Sequence, residues 1–125
     1  MKTRDERDEV DVLITGGAGF IGSSLARFLL EAGDSVRLID NLSTGSLDNL
    51  EGLNDARISI DDLRNMEGVR NAVAGAEIVF HLAALPSVQR SVADPMAVHA
   101  VNVDGTLNVL TAARDAGIRR VVYAS

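Results

Sequence analysis

The sequence predicts a three-layer α/β protein: a doubly wound, parallel five-strand sheet in the order 3-2-1-4-5. Three observations lead there. Short β-branched runs alternate with helical patterns along nearly the whole chain, and strands separated by helices call for right-handed crossovers and a parallel sheet. VDVLIT, IVFHLA and RVVYA are continuous apolar runs, the signature of strands covered on both faces. Four glycines within seven residues, 16–22, follow the first run at once.

The elements follow in order. Val10–Thr15 is the first strand. Ile21, Leu25, Phe28, Leu29 and Ala32 then recur at helical spacing, and Gly33 closes the helix as its C′ residue. Val36–Asp40 is the second strand, followed by the polar loop NLSTGSLDN and one short helical turn around Asp48–Leu53. Arg57–Asp61 makes a weaker third strand. Met66, Val69, Ala72 and Val73 fit a short helix ending near Gly75, and Ile78–Leu82 is the fourth strand. Asp94 and Pro95 then open a long helix as N-cap and first helical residue, running to about Ala116 before Gly117. Arg120–Ala124 is the fifth strand. No repeat, low-complexity tract or interdomain linker interrupts this order.

Composition narrows the function classes. The chain has 125 residues, 46% apolar and 24% charged, enough to bury a core. It has no cysteine, which excludes disulfides, thiolate zinc sites and cysteine nucleophiles. Twelve basic against 18 acidic residues give a net charge of −6, which argues against nucleic-acid and anionic-membrane partners. Residues 1–9 belong to a polar tail, expected to be disordered; the first ten residues carry seven charges where a targeting peptide needs an apolar stretch. No run is long and apolar enough to cross a bilayer, so a soluble, cytoplasmic protein is expected. Lys2 is the only lysine and Tyr123 the only tyrosine. A Tyr–Lys pair a few residues apart is therefore absent.

The segment Thr15-Gly-Gly-Ala-Gly-Phe-Ile-Gly22 fits G-x-G-x-x-G through Gly17, Gly19 and Gly22, and G-x-x-G-x-x-G through Gly16, Gly19 and Gly22. It stands between a strand and a helix, the context in which such a turn binds a pyrophosphate. Glycines admit a close backbone approach, and the helix N-terminus favours the negative charge. Gly22 is expected to let the helix pack closely on the sheet. The alternative, a tight turn and nothing more, needs fewer glycines than stand here. Asp40 ends the second strand, 18 residues after Gly22. A carboxylate there accepts from both hydroxyls of an adenosine ribose and repels a 2′-phosphate, so NAD is expected rather than NADP. The plainer role for Asp40 is that of a turn or cap residue. Arg37 lies inside the strand and does not restore NADP binding.

Together these residues resemble the extended short-chain dehydrogenase/reductase family of NAD-dependent nucleotide-sugar epimerases and dehydratases, with a Rossmann-like cofactor domain over residues 10–125. TGGAGFIG (15–22) is similar to the family's cofactor turn. DNLSTG (40–45) is similar to its ribose loop in a form most like UDP-glucose 4-epimerases. Asp62-Leu63, His81-Leu-Ala-Ala84, RSVADP (90–95), NVDGTLNVL (102–110) and VVYAS (121–125) fall where the family places related segments. Each motif is common by itself; their order and spacing are specific.

Carried over by this resemblance, Gly16, Gly19 and Gly22 shape the turn, and Phe20 and Ile21 offer N–H groups to the pyrophosphate. Asp40 and Asn41 hold the adenosine ribose, with Ser43 nearby. Asp62 and Leu63 flank adenine, Asp62 accepting from its exocyclic amine. Leu82, Ala83 and Ala84 line the path to the nicotinamide, and Asn102 braces the loop at the cofactor or is simply a polar surface residue. His81 has no second ligand at metal spacing and is expected to be a hydrogen-bonded strand-end histidine. His99 is expected to be a surface or packing residue. Asp61 and Asp62, neighbours at a strand end, are expected to point apart rather than form a paired-carboxylate site. Ser87 and Ser91 stand as sugar-contact or turn-capping residues, and Pro86 takes a position where some epimerases have a lysine. No metal site is expected.

The family's chemistry uses a Ser/Thr just beyond strand five and a Tyr-x-x-x-Lys helix further on. Neither is present: Tyr123 lies inside a strand, and Ser125 matches only the start of the serine run. No catalytic residue is therefore assigned. The resemblance implies the cofactor-binding N-terminal portion of a nucleotide-sugar 4-epimerase, inactive alone, whose complete form takes NAD and a UDP-sugar and is a homodimer. A 4,6-dehydratase or UDP-glucuronate decarboxylase shares the same half, and a non-catalytic dinucleotide-binding module is the alternative of another class. Truncation after strand five leaves an open edge. With Val98, Val101, Leu107, Val109 and Leu110 spread around the long helix, self-association is expected.

Overall fold

The computed structural model describes residues 9–42, 46–83, 95–96 and 100–123. Five parallel strands form one sheet: β1 (Asp11–Thr15), β2 (Ser35–Asp40), β3 (Arg57–Ile60), β4 (Ile78–His81) and β5 (Arg120–Tyr123). Their order is β3-β2-β1-β4-β5, as expected. β1 lies at the centre, where the chain's winding reverses, and Thr15 is in register with Ile39 of β2 and His81 of β4. In open α/β sheets, the crevice beyond the carboxyl ends at such a reversal is where ligands bind.

Alternation along the strands divides the core in two. Val12, Ile14, Val36 and Leu38 face α1 (Phe20–Glu31) and pack with Ala18, Ala26, Leu50 and Leu53. Leu13, Ile39 and Val79 point to the other face and pack with residues of α2 (Met66–Val73) and α3 (Thr106–Asp115). The expected 48–53 turn is a short 3-10 helix at Leu47–Leu50, begun by the Ser46 hydroxyl accepting from the Asp48 N–H. Its Leu50 and the following Leu53 are buried against the α1 face. Arg37 points toward α2, where its guanidinium donates to the carbonyls of Ala72 and Ala74 at the helix C-terminus. It serves as a helix cap, well away from the carboxyl ends of the strands.

Two expectations are corrected. The stretch before α3 is not one uniform α-helix, because Ala100–Gly105 forms a π-helical turn that leads directly into Thr106. Apolar spacing does not distinguish such a turn from ordinary helix. Of the run RVVYA, the described part Arg120–Tyr123 is not buried on both faces: among the described residues β5 pairs only with β4, Val121 alone joins the core, and Tyr123 is 59% exposed. Of the apolar residues expected around the long helix, Val109 is buried while Leu107 and Leu110 are exposed. Asp94, Val98 and His99 lie outside the described residues, as does the side chain of Val101.

Candidate functional site: a groove over the ends of β1, β2 and β4

The glycine turn comes first along the groove. Gly16 leaves β1 with φ +73°, and a Cβ there would lie 2.9 Å from the Ala83 backbone nitrogen. A side chain is excluded both by conformation and by the exit of β4 passing alongside. The Gly16 N–H donates to the Ile39 carbonyl, and its own carbonyl accepts from Gly19 N–H, closing the turn. Gly22 has a different role from the one expected. A methyl at Gly22 would collide with the Gly16 carbonyl oxygen, so this glycine makes room for the turn itself rather than for the sheet.

The turn delivers the chain to the N-terminus of α1. Gly19 is the N-cap and supplies no side-chain cap, and the first turn of the helix holds no acidic residue. The side chains of Phe20 and Ile21 are 79% and 71% exposed and leave the helix end uncovered. An uncapped helix N-terminus without a carboxylate favours an anion.

Ala18 at the crest of the turn is held from two sides. Its N–H donates to Asp40 Oδ2 at 2.9 Å, and its carbonyl accepts from Ser46 N–H and from Asn49 Nδ2. The other carboxylate oxygen of Asp40 accepts from Leu42 N–H at 2.6 Å. Leu42 has φ +64°, a left-handed conformation uncommon outside glycine, and this bond helps to hold it. Asp40 thus performs the turn role, with one bond on each oxygen among the described residues. A carboxylate oxygen accepts about two, so a position on each is compatible with a ribose hydroxyl.

Asp62 stands at the far end of β3. Its Oδ1 accepts from the Arg64 N–H and Nε, and its Oδ2 from Arg64 Nη2 at 2.6 Å and Asn41 Nδ2 at 3.2 Å. The Arg64 guanidinium holds this carboxyl well below the usual carboxylate range. All four acceptor positions are taken, so a base amine accepted here replaces one of these donors. Asp61 instead accepts from Asp62 N–H and Asn65 Nδ2, so the two acids have separate partners and form no shared-proton pair. The Leu63 side chain is buried in the core, and its carbonyl accepts from Asn108 Nδ2 at 2.8 Å. Leu63 therefore meets the groove through its backbone.

At the opposite end, Thr15 Oγ1 accepts from the N–H groups of Leu82 and Ala83. Its hydroxyl proton is left for His81 Nδ1, 2.7 Å away, and the other ring nitrogen lies 2.8 Å from Thr106 Oγ1. The donor count puts the histidine proton on Nε2. His81 is 3% exposed, burial lowers its pKa, and it stacks on Tyr123 with ring centroids 5.8 Å apart. It is the hydrogen-bonded strand-end histidine expected, held neutral.

The structure therefore brings Gly16, Gly19, Gly22, Phe20, Ile21, Asp40 and Asn41 to one rim, with Asp62 linked to it through Asn41 and with Leu82 and Ala83 against Gly16. Asn102 is half-buried in the π-helical turn. Ser43, Ala84, Pro86, Ser87, Ser91 and Ser125 lie outside the described residues. Sequence reasoning did not single out Thr15 as a hub, or Arg64, Thr106 and Asn108. Asn108 carried one signal, a polar side chain within an otherwise apolar helical pattern. Among the described residues no group of acidic and histidine side chains is arranged to hold a metal, and no helix is long and apolar enough to cross a membrane.

Known proteins resemble this chain in sequence and fold. The chain is 43% identical over 121 residues to the low-salt glycan biosynthesis protein Agl12 of Haloferax volcanii, covering 93% of this chain and 39% of that protein. It is 41% identical to a UDP-glucose 4-epimerase of Mycolicibacterium smegmatis, covering 90% of this chain and 37% of the relative. The UDP-glucose 4-epimerase of Thermus thermophilus, solved in complex with NAD, superposes with a TM-score of 0.84 at 42% identity, covering 93% of this chain and 37% of that one. The chain thus spans less than two fifths of the length of these relatives. Residues 12–125 match the profile of the NAD dependent epimerase/dehydratase family, which takes in β1, the glycine turn, Asp40 and every later element; this chain belongs to that family.

Proposed function

We propose that this chain is the NAD-binding portion of a nucleotide-sugar 4-epimerase of the UDP-glucose/UDP-galactose type. What supports the reading is the tie between the glycine turn and Asp40, which holds a carboxylate beside an uncapped helix N-terminus. The cradle fits a dinucleotide. Gly16 and Gly22 have no room for a Cβ, whereas among the described residues one at Gly19 would meet only the Gly16 carbonyl oxygen, at 3.3 Å.

In this reading the first-turn N–H groups of α1 at Phe20 and Ile21 receive the pyrophosphate. Asp40 and Asn41 receive the adenosine ribose, with Ser43 close by in sequence. Asp62 accepts from the adenine amine after exchanging a donor. Leu82, Ala83 and Ala84 line the nicotinamide end, with Asn102 bracing it. A dinucleotide bound there supplies a hydride acceptor and donor for a sugar carbon. No Tyr-x-x-x-Lys sequence occurs in these 125 residues, so the chain alone is expected to bind NAD without turning over a UDP-sugar.

Calorimetry with NAD, NADP and UDP-glucose tests this. NAD binding, weaker NADP binding and no UDP-glucose binding are expected; failure to bind NAD overturns the proposal. The family's breadth keeps a 4,6-dehydratase or a UDP-glucuronate decarboxylase as the second enzymatic reading, because the cofactor half is common to them. A dinucleotide-binding module without catalysis is the reading of another class. Joining this segment to a Tyr-x-x-x-Lys and sugar-binding portion and assaying UDP-galactose formation separates these readings.

A further inference from the structure

We propose that the first turn of α3 is a positioning strut for the whole groove, with Thr106 setting its nicotinamide end and Asn108 its adenine end. This rests on the NAD reading above. Thr106 and Asn108 are two residues apart, which turns their side chains about 200° from each other on a helix. One therefore reaches the sheet while the other reaches the loop after β3. Thr106 Oγ1 accepts from His81 Nε2 at 2.8 Å. His81 Nδ1 accepts the Thr15 hydroxyl, which leaves both Thr15 lone pairs to receive Leu82 N–H and Ala83 N–H. The relay ends at the backbone that lies against Gly16.

Asn108 Nδ2 donates to the Leu63 carbonyl at 2.8 Å, across a separation of 45 residues. That bond fixes the Leu63–Arg64 peptide, whose N–H donates to Asp62 Oδ1. Neither Thr106 nor Asn108 belongs to the rim itself. Both act through another residue, so they are positioning residues. The π-helical turn at Ala100–Gly105 immediately precedes them. A π turn holds more residues than an α turn, so it sets the rotational phase at which Thr106 and Asn108 enter α3.

The test compares the full chain with Thr106→Val, Thr106→Ser and Asn108→Ala by amide hydrogen exchange, thermal melting, AMP affinity and the emission of bound NADH. Thr106→Val is expected to speed exchange at the Leu82 and Ala83 amides about tenfold and to shift bound NADH emission. Its AMP affinity should stay within about twofold, and Thr106→Ser should restore the wild-type behaviour. Asn108→Ala is expected to weaken AMP and NADH about three- to tenfold, the value of one hydrogen bond, without altering exchange at Leu82 and Ala83. A uniform loss of both ligands that tracks the fall in Tm overturns the strut, as does unchanged exchange and unchanged binding. Absence of NADH binding by the unaltered chain defeats the NAD reading instead, and the exchange pattern still decides whether the strut exists.

Discussion

Asp40 Oδ2 accepts the Ala18 N–H at 2.9 Å, so the acid that ends β2 is bonded to the crest of the glycine turn after β1. The same carboxylate accepts from Leu42 N–H through its other oxygen. One side chain thereby sets the spacing between the turn and the loop that follows β2. A residue proposed for ligand recognition is also a structural clamp, and the two roles are separable by experiment.

Asp40→Asn keeps the shape but turns one acceptor into an N–H donor facing a backbone N–H. The variant is expected to be less stable by about 1–3 kcal/mol, the cost of leaving a partly buried donor unpaired. It also removes the charge that repels a 2′-phosphate. The NAD-to-NADP affinity ratio is expected to fall at least about tenfold, read by calorimetry alongside a denaturant melt. An unchanged ratio with lowered stability assigns Asp40 to the clamp alone.

Gly19 and Gly22 are predicted to fail in different ways. Gly22→Ala drives a methyl into the Gly16 carbonyl oxygen and should cost about 1–3 kcal/mol in stability as well as abolishing NAD binding. Gly19 has an ordinary φ of −74°, and among the described residues a Cβ there meets only the Gly16 carbonyl oxygen, at 3.3 Å. Gly19→Ala is expected to melt within a few degrees of the unaltered chain. Gly19 is the N-cap of α1, and a methyl added there is expected to crowd an anion approaching that helix end, so NAD affinity should drop about tenfold or more. Equal losses of Tm for the two variants contradict this account of the turn.

The parts of the fold legible in the sequence were those written in local pattern. Val12 through Thr15 is a largely apolar run closed by glycine, and Val36 through Asp40 a β-branched and aliphatic stretch closed by a polar loop, and local pattern locates both. Crossover handedness makes the sheet parallel, and the glycine-rich turn directly after β1 points to the dinucleotide-binding form of the doubly wound sheet, whose β3-β2-β1-β4-β5 order is the one observed. The exposure of Val122 and Tyr123 was illegible because a run's hydrophobicity records what a strand can bury, not what covers it. Partners distant in sequence were illegible for a related reason. Thr106 and His81 are 25 residues apart, and Asn108 and Leu63 are 45 apart. A threonine or asparagine on a helix carries no mark of the atom it will meet. The π-helical turn escaped too, since no residue type marks where the extra residue of such a turn is inserted.

His81 gives the fold a defined pH response. Burial holds its pKa below the ordinary 6.5, so the unfolded chain binds this proton more readily than the folded one. Stability from this group is therefore complete above pH 6.5 and declines as pH falls below it, toward the depressed folded value. Protonation also puts a hydrogen on Nδ1, opposing the Thr15 hydroxyl and with it the Leu82 and Ala83 bonds. Tm is expected to fall between about pH 7 and pH 5, and hydrogen exchange at Leu82 and Ala83 to rise over the same range. His81→Gln should flatten that slope; a slope identical to the unaltered chain's places the titration elsewhere.

Two exposed apolar surfaces favour association. Along the π-helical turn and α3, Val103, Leu107 and Leu110 are exposed at helical spacing. On β5, Val122 and Tyr123 are exposed beside a strand edge paired only with β4 among the described residues. An open edge flanked by apolar side chains favours pairing with another chain. The chain is expected to associate with rising concentration in analytical ultracentrifugation. The two surfaces give distinguishable outcomes. Leu107→Glu with Leu110→Glu abolishes association carried by the helix face, whereas Val122→Lys abolishes association carried by the edge. The helix is the weaker candidate for edge-type aggregation because its backbone is already hydrogen-bonded within itself. Loss of association in Val122→Lys alone is therefore the expected result, and a monomer at every concentration overturns it.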